Sequence, residues 1–139
     1  VNAMKGVEIG DGFKAATSFG SDVMDEINWH DGEGFDRESD HLGGFEGGMT
    51  NGMPIIIKAA MKPIPTLYKP LQSVDVETKE VKKANVERSD TTAIVPASIV
   101  IESVVAIELA KAITDTFDGS NMSRLKQQIA DYRNELKNF

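Results

Sequence analysis

Leu42–Thr66 reads LGGFEGGMTNGMPIIIKAAMKPIPT, and five of the chain's 12 glycines fall between Gly43 and Gly52. Glycine lets backbone approach a ligand closely and takes φ > 0 without a steric penalty. Two glycine pairs framing Phe45 predict a surface on which something flat or phosphorylated lies, with a tight turn as the plainer reading. Met53–Met61 follows as an apolar run centred on the β-branched Ile55-Ile56-Ile57. It predicts a strand apolar, and therefore covered, on both faces, as in a layered fold. Lys62-Pro63-Ile64-Pro65-Thr66 then fixes φ and strips out amide donors at two positions, which holds Lys62 and Thr66 in place. The order is ligand loop, strand, ligand loop.

Upstream, Lys5–Ile9 alternates briefly and stops at Gly10-Asp11-Gly12, a strand entering a turn. Phe13–Ser21 reads as loop with a little helix. Met24–Trp29 and Phe35–Glu38 flank the polar double-glycine turn His30–Gly34 and predict a hairpin. It has so little to bury that it is expected to be the least ordered internal segment. Arg37–His41 reads as a solvated connector into the glycine segment.

Downstream, Leu71–Val76 and Glu80–Val86 predict a second hairpin around Glu77-Thr78-Lys79, near a sheet edge. Val95–Thr116 is the longest regular element, with Pro96 suited to a first helical turn. Ile99, Val100, Ile101, Val104, Val105, Ile107, Leu109 and Ile113 surround most of its cylinder, which predicts a buried helix. Asp118-Gly119-Ser120 breaks the chain, and Ser120 or Asn121 caps a last helix. Met122, Leu125, Ile129, Tyr132, Leu136 and Phe139 form its amphipathic stripe. That stripe packs on the domain or, alternatively, makes a subunit contact.

At 139 residues the chain is one domain long. Fifteen basic against 22 acidic residues give a net charge of −7, which argues against nucleic acid and anionic membrane as partners. The absence of cysteine removes disulfide and thiolate chemistry, and with two histidines it leaves no convincing metal set. Apolar runs fall short of the ~20 residues a membrane span needs. The glycine segment lacks the Gly-Lys-Ser/Thr ending of a nucleotide loop. An acyl or phosphoryl transferase would need a nucleophile–base pair that is not apparent.

The string GGFEGGMTNGMPI followed by KPIPT closely resembles the chorismate synthase family. Asn2–Phe13, Glu87-Arg88-Ser89-Asp90 and the apolar stretch opening at Pro96 agree with that family in order, in the form found in Gram-positive bacteria. Family members are considerably longer, so the resemblance reads residues 1–139 as the C-terminal portion of a chorismate synthase domain, its N-terminal part absent. The fold class expected is α+β, part of a β-α-β sandwich. An antiparallel sheet packs on the long buried helix, with the amphipathic helix at the C-terminus.

The resemblance implies a lyase that eliminates phosphate, in an anti-1,4 sense, from 5-enolpyruvylshikimate 3-phosphate to give chorismate in aromatic amino-acid biosynthesis. It implies reduced FMN as cofactor, with NADP associated with the family, a homotetramer, and a cytoplasmic location. Asn2, Ala3, Gly47, Lys62, Pro63, Ile64, Pro65, Thr66 and Arg88 match flavin-lining positions, and Asp90 matches an acidic position that assists proton removal at the flavin N5. Read as residues alone, the same set is more simply turn glycine, surface lysine and surface ion pair, and it is the four motifs agreeing in order that reverse that preference. Two departures stand out: Arg-Ser-Asp replaces the usual Arg-His-Asp, and Asp40-His41 replaces Asn-Asn. The latter pair is expected in the exposed connector, and His30 is expected to be solvated. The competing class is a non-catalytic flavin-fold remnant or assembly module. The 139 residues alone are expected to fold, to associate and to fail to catalyse.

Overall fold

A computed structural model describes residues 1–87 and 91–138. Its axis is an antiparallel ribbon of β1 (Met4–Ile9) and β6 (Ile57–Met61), with Ile9 opposite Ile57 and Met4 opposite Met61. Gly6 pairs with Ala60, so Lys5 is an extra residue on β1, a bulge that re-aims the first turn of the strand. Three further short antiparallel hairpins each pair only within themselves: β2 (Ile27–His30) with β3 (Gly34–Arg37), β4 (Phe45–Glu46) with β5 (Met49–Thr50), and β7 (Gln72–Val74) with β8 (Val81–Lys83). A short α1 (Gly12–Ala15) follows β1, and two long helices close the chain, α2 (Ile94–Thr116) and α3 (Met122–Lys137). The mixed class with antiparallel pairing is as the sequence predicts.

The strand expected over Met53–Met61 is shorter and one-sided. Ile56 leaves the ladder because its amide donates to Gly43 O at 3.3 Å and its carbonyl accepts from Gly10 N at 2.9 Å. Within β6, Ile57, Ala59 and Met61 face α2, while Lys58 reaches Glu8 at 3.0 Å beside the ribbon. The run is therefore amphipathic, with a lysine where both faces were expected to be apolar.

The helix expected at Val95–Thr116 begins one residue earlier, with Pro96 inside its first turn. Its burial is the expectation that fails: no residue of α2 is buried within this chain. A two-stranded ribbon faces only one side of a cylinder that is apolar nearly all round. Between them lies a groove of about 570 Å³, lined by Met4, Ile57 and Met61 on one wall and Ile101, Val105 and Leu109 on the other. Val23 is the buried apolar side chain among the described residues.

α3 is tied down at both ends. Asn121 caps it, Oδ1 accepting from Ser123 N at 2.9 Å and Arg124 N at 3.3 Å. Phe117 meets Tyr132 edge-on at 5.6 Å, and the Asp118 amide donates to Gln128. The other end meets the β2–β3 hairpin: a Cβ on Gly34 would lie 3.3 Å from Lys137 Cα. That hairpin also carries Trp29 against Phe35 at 4.7 Å, and His30 is half-exposed beside Asp36.

Three buried glycines make the junction of ribbon and glycine segment. Gly10 and Gly43 both have positive φ, and a Cβ on Gly43 would stand 2.3 Å from Gly10 N and 2.7 Å from Gly10 Cα. Gly44 lies against the Pro54 carbonyl in the same way. Backbone atoms cannot swing aside, so strain and clash add. Gly43→Ala is expected to cost about 2–5 kcal/mol, against about 1 kcal/mol for Gly47→Ala, whose site is open. Urea denaturation followed by circular dichroism measures both; equal midpoints for the two variants would refute the ranking.

Candidate functional site

Polar side chains lock the junction around those glycines. Asp25, 6% exposed, accepts from Ser39 Oγ at 2.6 Å, His41 N at 2.8 Å and Leu42 N at 3.0 Å. Burial pushes its carboxyl up, and the bonds from Ser39, Leu42 and His41 outweigh that and hold it below the usual value. Asp40 Oδ1 accepts from Gly44 N at 2.7 Å, and its carbonyl accepts from Gly43 N at 3.2 Å. Its Oδ2 is buried without a hydrogen-bond partner. His41 O accepts from Asp11 N at 2.7 Å, while His41 Nδ1 lies 2.9 Å from Asp11 Oδ2. An ionised carboxylate only accepts, so Nδ1 carries the proton in that contact.

Arg37–His41 is thus not the solvated connector the sequence suggests. Ser39, Asp40 and His41 are part-buried, and each spends its polar groups on the glycine segment or on Asp11 and Asp25. Arg37 is 15% exposed and pairs with Glu46 at 2.8 Å. The Asp-His pair reads as exposed in sequence because its partners, Asp11 and Asp25, are distant along the chain.

Of the predicted flavin-lining residues, the ribbon brings two groups together. Lys62 N donates to Ala3 O at 2.9 Å, so Asn2-Ala3 and Lys62-Pro63 share one end of the β1–β6 pair. Lys62, Pro63 and Pro65 are exposed, and Ile64 and Thr66 are half-buried. Lys58 within β6 and Lys62 just after it differ sharply. Lys58 is committed to Glu8 Oε1 at 3.0 Å, Gly10 O at 2.9 Å and Asp11 at 3.6 Å, whereas Lys62 makes no ion pair among the described residues. An uncommitted ammonium in an acidic chain is available to an anion.

Gly47 is placed elsewhere. It and Gly48, at φ +57 and +78, form the two-residue turn between β4 and β5, the primed turn that needs positive φ twice. That hairpin springs from the Ile57 end of the ribbon, about 13 Å from the Lys62 end by strand rise. Among the described residues no hydrogen bond or ion pair joins the two. Arg88 and Asp90 lie outside the described residues.

The chorismate synthase family model matches residues 1–114. The chain belongs to the chorismate synthase family. Over all 139 residues it is 72% identical to the chorismate synthase of Lactiplantibacillus plantarum, 57% to that of Enterococcus faecalis and 55% to that of Listeria monocytogenes. Each match takes in the whole chain but 36% of the relative's length. The relatives are Gram-positive, as the resemblance implies. A crystal structure of a chorismate synthase matches with a TM-score of 0.80 at 43% identity, covering 100% of this chain and 34% of that one.

The residues that sequence reasoning missed are those that hold the site's frame: Glu8, Asp11, Asp25, Glu46 and Lys58. Apart from the i,i+3 pair of Asp11 with Lys14, none has a spacing signal, because each meets its partner across a turn or a ribbon. Their charges predict a pH response. The hydrogen bond from His41, then that from Lys14, holds the Asp11 carboxyl at about 2 against an ordinary 3.8. Glu8 is lowered by Lys58 and by the Phe13 amide. Groups depressed in the folded state stabilise it above their unfolded values and lose that contribution as pH falls through the folded values. Urea midpoints are therefore expected to be level above pH about 5 and to fall steadily toward pH 2. Asp11→Asn should flatten the lower part of that fall; an unchanged slope would remove Asp11 as its origin.

Proposed function

We propose that residues 1–139 are the C-terminal portion of a chorismate synthase domain acting on 5-enolpyruvylshikimate 3-phosphate in aromatic amino-acid biosynthesis. The observation that carries the reading is the convergence of Asn2-Ala3 with an uncommitted Lys62 at one end of the β1–β6 ribbon. The residues present fit a phosphorylated planar cofactor. Lys62 offers an exposed charge at one end of the ribbon, and Gly47–Gly48, at the other end, offers a turn with open space among the described residues where a Cβ would sit. FMN bound in reduced form would supply the electron-rich ring that the elimination requires without net redox change. Lys62 and Arg88 would neutralise phosphate, Asn2, Ala3 and the Pro63–Pro65 run would line the ring, and Asp90 would take a proton at the flavin N5. The reaction removes phosphate and one proton and leaves a new double bond. A cytoplasmic homo-oligomer, a tetramer, belongs to the same reading, with the reduced form, NADPH, as the nicotinamide that would supply reducing equivalents to the flavin.

The test is a chimera in which this chain replaces the matching 139 residues of the Lactiplantibacillus plantarum relative. With reduced FMN under anaerobic conditions it should release phosphate from 5-enolpyruvylshikimate 3-phosphate, and the isolated chain should not. Asp90→Asn in the chimera should lower turnover by about 10²–10⁴, the range for positioned proton transfer, and leave FMN affinity within a few-fold. A chimera that folds yet binds no FMN would favour the non-catalytic module. Near-normal turnover of the Asp90 variant would remove that carboxylate from the mechanism.

A further inference from the structure

The turn Gly47–Gly48 poses a mechanical problem. Its flanking strands have two residues each, and a hairpin of that size does not hold itself in water. Nothing lies within 4 Å of where a Cβ would sit at either glycine, so side-chain packing does not aim the turn. What does reach it is the residue before it. Glu46 Oε2 accepts from Arg37 Nε at 2.8 Å and from Asn51 Nδ2 at 2.8 Å. Asn51 in turn accepts from Met53 N at 3.0 Å and donates its own amide to Gly44 O at 3.1 Å.

One carboxylate oxygen thus bridges β3, the last residue of β4 and the segment after β5. Arg37 is mostly shielded from water, where a charge-assisted bond is worth more than at the surface. The bonds from Asn51 and then Arg37 hold the Glu46 carboxyl below the usual range, against its burial and the nearby Asp25, so it stays an acceptor.

We propose that Glu46 is a positioning residue for the turn Gly47–Gly48, fixing it through the Arg37–Glu46–Asn51 bridge so that its backbone meets the flavin. The role rests on the reading of Gly47 as a flavin contact. Glutamine at this position keeps an oxygen that accepts both donors. Alanine removes it and leaves Arg37 without its carboxylate.

The experiment compares the parent chimera with its Glu46→Ala and Glu46→Gln variants, using oxidised FMN as the probe. Well below the melting temperatures, Glu46→Ala should raise the FMN dissociation constant about tenfold or more and diminish the change in the flavin visible band on binding. Glu46→Gln should stay within about threefold. Hydrogen exchange of the peptide spanning 45–50, measured without FMN, should quicken in Glu46→Ala and not in Glu46→Gln. Parent-like FMN affinity in Glu46→Ala overturns the proposal, as does equal loss in both variants, which would make the charge rather than the bridge the requirement. A parent that binds no FMN sinks the flavin reading of Gly47, and unchanged exchange in Glu46→Ala then sinks the positioning role independently.

Discussion

Gly10 lies directly on Gly43, backbone against backbone, and the rest of the described structure is arranged about that contact. A side chain on either would meet main-chain atoms 2.2–2.3 Å away, which neither strand nor turn can yield. The contact lets the end of β1 run under the glycine segment. It also lets Ile56 close both turns with its own amide and carbonyl. Because Ile56 is spent there, β6 begins at Ile57, and this sets the register of the ribbon. The register in turn puts Ala3 beside Lys62. A local steric fact at one end of the ribbon thus decides which residues meet at the other.

The charges follow the same geometry. In a chain of net charge −7, the carboxylates of Glu8, Asp11, Asp25 and Glu46 gather at the junction, where they accept from backbone amides, Lys58, His41 and Arg37. These bonds keep acids ionised in a part-buried place and use up the local cations. Lys62 escapes because β6 carries it out of reach. These four junction carboxylates are therefore committed internally, and Lys62, which makes no ion pair among the described residues, leaves a positive charge where the resemblance places flavin contacts.

Much of this was legible in sequence, for reasons visible in particular residues. The long helix announced itself by length and Pro96, its cap-and-stripe successor by Asn121 and the three- and four-residue steps, and the hairpins by their turns. Local chemistry settles those elements. Ile55-Ile56 misled, because β-branched residues promise a strand while two glycine turns compete for their backbone. Asp25 gave no sign at all: its acceptors are used by amides far along the chain. The glycines divide in a way composition cannot show. Gly10, Gly43 and Gly44 exist because no Cβ fits, whereas Gly47 and Gly48 exist because their turn needs positive φ in open space.

The same distinction between local and distant causes explains α2. Its Ile and Val residues lose rotamer freedom in a helix and favour strands, so intrinsic propensity does not hold twenty-three residues in this form. Stability for such a helix comes from burying its apolar face. Full burial of one Val, Ile or Leu is worth about 1.5–3 kcal/mol, and Ile99, Val100, Val104 and Ile107 all stand exposed here. The ribbon recovers part of that on one side of the groove, across about 570 Å³ of unfilled space. A sequence that commits so many β-branched side chains to one helix is written for an apolar wall on its remaining sides, and the described residues do not supply that wall.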